Sequence, residues 1–174
     1  MAVSRKSRPP PVDLHRSPSP VTFTSHLRTV VPSVYNRGMA QRTRTDPAEV
    51  RAALVAVREW ITADEEDVAS GAVPRPSRAA VAAACRLSTA LLGEDAPGHS
   101  VEVRVPPFAA VQCVAGSVHR RGTPPNVVQC DPRTWLRLAT GLLTLEEAAA
   151  AGAEVSGAHA ADVAHWLPVV DLNR

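Results

Sequence analysis

Apolar residues recur at helical spacing near the start of the patterned region. Val50, Leu54, Val57 and Ile61 fall at i, i+4, i+7 and i+11 and make one stripe. Asp46-Pro47-Ala48-Glu49 supplies an N-cap, a proline at the first helical position and a capping-box glutamate. A helix is therefore predicted from Pro47 through Ile61, with Trp60 beside its stripe. The acidic run Asp64 to Asp67 and the stretch Gly71–Pro76 predict a loop. A second helix is capped by Ser77 and carries Val81, Ala84, Cys85, Leu87, Leu91 and Leu92. It stops near Gly93, before the turn chemistry of Asp95-Ala96-Pro97-Gly98.

The period then changes from helical to alternating. Val101, Val103 and Val105 alternate with Glu102 and Arg104, the pattern of a half-buried strand. Pro106 and Pro107 interrupt it. Proline donates nothing to a ladder, so the pair is expected at a bulge or on an edge. Phe108 to Ala115 reads as a second strand ending at Gly116, His119 to Pro125 as a loop, and Asn126 to Cys130 as a third strand. Asp131-Pro132 repeats the cap-plus-proline signal, and the third helix runs to Gly141, a natural residue just past a helix end. Thr144 caps a fourth helix with Glu147 at its N3 position. Ala153 to Ser156 reads as a short fourth strand. Ala160 to Trp166 looks helical and ends at Leu167-Pro168.

Charge divides the 174 residues into unlike parts. Residues 1–45 hold eight basic side chains against one acid, Asp13, for a charge of +7; residues 46–174 sum to −5. The first part is rich in Pro, Ser and Arg and has no sustained periodicity. It is expected to be a disordered basic tail, with 46–171 as the folded domain. Met39, followed at once by the domain start, is a candidate initiation point. An acidic domain does not attract phosphate backbones by charge alone, so nucleic acid is not an expected partner.

The three cysteines, Cys85, Cys113 and Cys130, form no CxxC or Cys/His cluster and fit buried free thiols in a reducing, cytoplasmic setting. No apolar run approaches the roughly 20 residues of a membrane span. None of the six histidines pairs at i, i+4 with another, so no metal ligand set is expected. No G-x-S-x-G, Walker A or G-x-G-x-x-G pattern occurs, and no catalytic set or cofactor is expected. His119-Arg120-Arg121 offers planar guanidinium forks for a carboxylate or phosphate head group; as a plain hairpin loop it is equally a solvated surface. Trp135, Leu136, Leu138, Leu142 and Leu143 cover more than one helical face. They suit either a helix touching both sheet and ligand, or simple core.

The last third reads VVQCDPRTWLRLATGLLTLEEAAAAGAEVSG, followed by ADVAHWLPVV. Its order is strand, Asp-initiated helix ending in Thr-Gly, alanine-rich helix, strand closing on Gly, and final helix. This resembles the C-terminal half of sterol carrier (type-2) family domains. VEVRVPPFAAVQCVAG and GTPPNVV resemble a bacterial branch of that superfamily. The resemblance spans about residues 100–170. It implies an α/β (α+β) fold: a twisted, mainly antiparallel sheet of four to five strands with helices packed on one face over an apolar cavity. It also implies non-enzymatic carriage of a lipid, sterol or fatty-acyl ligand. The inward strand positions Val103, Val105, Val111 and Val128, together with Phe108, Trp135, Leu138 and Leu143, would line the cavity, with Arg120 and Arg121 at a head group. Where the family often carries paired aromatics, this chain has Ala149 and Ala150. Sterol carrier-like domains also occur as C-terminal accessory domains of bacterial thiol-dependent isomerases. The alternative expectation is accordingly a protein-interaction domain without lipid.

Overall fold

The computed structural model describes residues 44–116 and 126–172. The expected basic tail, apart from Arg44 and Thr45, and the loop bearing Arg120 and Arg121 lie outside the described residues.

Asp46 caps the first helix, α1 (Pro47–Val55), by accepting from the Ala48 N–H at 2.9 Å. The apolar stripe is buried as expected, with Val50, Leu54, Val57 and Ile61 all at most 1% exposed. It is carried by two helices, however, not one. The Val57 N–H bonds Leu54 O one residue short of the α-helical spacing, and α2 (Arg58–Thr62) restarts beyond that tightened turn. The expected loop over the acidic run is a third helix, α3 (Glu65–Ser70), ending at Gly71 with φ +80°. Three acids in its first turn complement the helix dipole there. Helix α4 (Arg78–Asp95) is capped by Ser77, which accepts from Ala80 N–H.

Strands β1 (Val101–Val105) and β2 (Ala109–Cys113) form an antiparallel hairpin. The two prolines make its turn, closed by Phe108 N–H to Val105 O at 2.8 Å, and are neither bulge nor strand edge. The chain then crosses to the other side of β1, where β3 (Val127–Gln129) pairs in parallel. After α5 (Pro132–Ala139) and α6 (Leu145–Ala150), β4 (Glu154–Ser156) pairs antiparallel with β3. The sheet order is β2-β1-β3-β4, mixed but mostly antiparallel. A 3₁₀ helix (Ala160–Trp166), over the span expected to be helical, closes the fold.

Register puts Val101, Val103 and Val105 on one face with Val111, Cys113 and Val128. That face packs with Leu54, Ile61, Leu92, Trp135, Leu136 and Leu138 in one core. Glu102 and Arg104 occupy the opposite face and bond each other at 2.8 Å. Buried Asn126 ties three elements together: its amide donates to Ser100 O at 2.7 Å, and its side-chain oxygen accepts from His159 N–H at 2.9 Å.

Candidate functional site

Helix α4 approaches the edge strand β2 closely because residue 93 is glycine; a Cβ there would stand 2.6 Å from Val111 Cγ2. Beside this contact the short side chains of Ala90, Ala109 and Ala110 leave space between the two elements unfilled. The result is a solvent-open groove of about 1120 Å³. Ala90 and Gly93 form its helical wall; Phe108, Ala109, Ala110 and Val111 form its strand wall. The Arg78 guanidinium lies 5.7 Å from the Phe108 ring centroid and holds that ring from the helix side. A smaller cleft of about 430 Å³ continues around the hairpin tip past Pro106 and Pro107.

Polar groups rim the groove. Glu94 accepts from both Thr45 N–H (2.9 Å) and Thr45 Oγ1 (2.6 Å), anchoring the chain entry to α4. The Thr45 hydroxyl bond, then its N–H, holds the Glu94 carboxyl below the usual carboxylate range. His99 Nδ1 and Gln112 Oε1, also on the rim, stand 2.7 Å apart. Arg86 and Arg44 also line the groove, and the Arg86 guanidinium has no hydrogen-bond or ion-pair partner among the described residues.

The residues named from sequence divide between two places. Phe108 and Val111 line the groove. Val103, Val105, Val128, Trp135 and Leu138 are at most 1% exposed and pack against one another in the core, with Leu143 half-buried against it. Trp135 is held there by its indole N–H, which donates to Ser88 Oγ at 2.8 Å. Arg120 and Arg121 fall outside the described residues. From sequence Arg86 and Ala90 carry no expectation, and Gly93 only that of a helix stop, which α4 passes by two residues. Their signal was present: three positions at i, i+4 and i+7 on the face of α4 turned away from Leu87, Leu91 and Leu92.

Burial pushes the thiols of Cys85 and Cys130 up to about 12 and that of Cys113 to about 11, with the Asp131 charge adding to the first two. Such thiols are poor nucleophiles at neutral pH. Among the described residues no three His, Cys, Asp or Glu side chains converge as a metal site. No helix among them is long and apolar enough to cross a membrane.

A search of curated proteins returns no match. The family model described as "Bacterial SCP ortholog" matches residues 77–169, from the cap of α4 to just past Pro168. The match takes in both walls of the groove and the whole sheet, and the chain belongs to this family of bacterial sterol carrier protein orthologs.

Proposed function

We propose that the chain is a non-enzymatic carrier that holds an apolar or fatty-acyl ligand in the groove between α4 and β2. The observation that carries the reading is the groove itself: about 1120 Å³, walled by Ala90, Phe108, Ala109, Ala110 and Val111, in a domain of this family. Burying about 200 Å² of methylene surface there contributes roughly 5 kcal/mol before the entropy of association is subtracted. The Arg86 guanidinium, without a hydrogen-bond or ion-pair partner among the described residues, faces a ligand carboxylate or phosphate at the groove wall. The carrier domain spans 46–171, residues 1–45 precede it as a basic segment whose last two residues reach the groove rim, and the setting is cytoplasmic. Native mass spectrometry of gently purified full-length protein tests the reading and is expected to show a co-purified lipid. An empty protein that also leaves a fluorescent fatty acid unquenched overturns it.

One observation favours a second reading, an accessory domain that binds a partner protein and no lipid. The space between α5 and the sheet is filled by Val103, Val105, Val128, Trp135 and Leu138, each at most 1% exposed. A stoichiometric protein partner, together with a lipid-free groove, would support it.

A further inference from the structure

We propose that Arg133 and Arg137 form an oxyanion clamp that the chain's own Glu65 now occupies, and that a phosphate-class anion displaces this carboxylate. The site lies on α5 and α3 and is independent of the groove.

Arg133 and Arg137 stand at i and i+4 on α5, so their side chains emerge on one face. Like charges so placed repel, and here both are answered by one atom. Arg133 Nη1 donates to Glu65 Oε1, and Arg137 Nη1 lies 3.6 Å from the same oxygen. The two partners differ in burial: the Arg133 side chain is 8% exposed, that of Glu65 78%. The carboxylate thus reaches in from solvent onto a guanidinium fixed from behind. Arg133 Nε donates to Trp60 O at 2.9 Å, and Nη2 donates to Ala63 O.

Donors exceed acceptors around this point. Arg137 Nε is buried without a hydrogen-bond partner, and so is Nε1 of Trp60, a residue only 4% exposed. A third cation, Arg75, lies 5.6 Å from the Trp60 ring centroid, with Arg133 at 6.0 Å. One shared carboxylate oxygen leaves part of this donor set unused. A tetrahedral oxyanion offers separate oxygens to the Nη1 atoms of Arg133 and Arg137, which now share one carboxylate oxygen.

The present occupant is also easy to release. Helix α3 has no fully buried residue and only Val68 of it packs against the core, so lifting Glu65 away exposes little apolar surface. It carries Glu66 and Asp67 away with it, which removes two charges that oppose an incoming anion. Anion binding and departure of α3 are thereby linked, and the apparent affinity is lowered by the work of displacing Glu65. The ligand chemistry is a phosphate or phosphate monoester, whether soluble or carried on a lipid head group.

The test is a titration of the full chain with inorganic phosphate, read from the arginine Nε–H NMR signals. Phosphate is expected to shift the Arg137 Nε–H signal in the native protein. Glu65→Gln should bind at least tenfold tighter, and adding Arg137→Ala to it should abolish the gain. A folded Glu65→Gln protein that binds phosphate no tighter than the native chain overturns the proposal. If Glu65→Gln does not fold, Glu65→Asp serves under the same criterion, since its shorter side chain reaches the clamp less well. Co-sedimentation with phosphatidylcholine vesicles containing phosphatidic acid, lost on Arg137→Ala, assigns the phosphate to a lipid. Shifts with inorganic phosphate but no co-sedimentation assign it to a soluble ligand.

Discussion

Trp135 donates its indole N–H to Ser88 Oγ, and that hydroxyl donates in turn to Ala84 O at 2.7 Å, so a chain of two hydrogen bonds crosses the core between α5 and α4. Ser88 is fully buried, and Ser88→Ala leaves the indole N–H without an acceptor. The expected loss is about 1–3 kcal/mol, read from the denaturant midpoint at unchanged slope. Gly98 is a steric case. A Cβ there would stand 2.0 Å from Val114 O, in a turn where Val114 N–H bonds Ala96 O and Val114 itself has φ 61°. Gly98→Ala is expected to cost roughly 1–3 kcal/mol, visible as a lowered Tm. The cysteines predict a pH effect. Their folded pKa values lie above the unfolded one, so the unfolded chain gives up its protons first. The thiol contribution to stability is expected to be level below pH 9.0 and to fall as pH rises from there to about 12. Thiol titration should find all three unreactive at neutral pH until denaturant is added.

Elements were legible wherever cap, period and stop agreed. Ser77, Asp131 and Thr144 all cap as their sequence contexts imply, and Thr144 with Glu147 forms a complete capping box. Thr144→Ala is accordingly expected to cost about 1 kcal/mol in chemical denaturation. The Glu147 carboxyl, held below its usual range by the Thr144 N–H and hydroxyl, supports the box above its unfolded pKa; that support fades as pH falls through its lowered folded value. The first helix misled because its stripe is continuous while its backbone is not. No Gly or Pro marks the tightened turn at Val57, and burial of Val57 and Ile61 preserves the periodicity across it. The acidic run reads as a breaker from sequence, yet acids in a first turn favour a helix start, and Gly71 marks the end of α3 rather than a loop. The parallel β1–β3 pairing was hidden as well, since three valines in alternation specify a face and not a neighbour.

At the scale of the whole molecule, the strand pattern told which residues point inward but not whether that interior is filled or hollow. Core and cavity wall use the same aliphatic side chains. Only packing shows that Val103, Val105 and Trp135 meet one another, while Phe108 and Val111 face a groove. The groove arises between α4 and an edge strand, a juxtaposition that depends on sheet order and has no local signature in either segment. The central claim is that this groove holds the ligand. Ala90 is exposed on its helical wall, so Ala90→Trp fills the groove without entering the core. Titration of a fluorescent fatty acid into native and Ala90→Trp protein is the direct measurement. The account predicts saturable binding by the native chain and at least a tenfold weaker affinity in the variant at unchanged Tm. Equal affinity in the two proteins would contradict it.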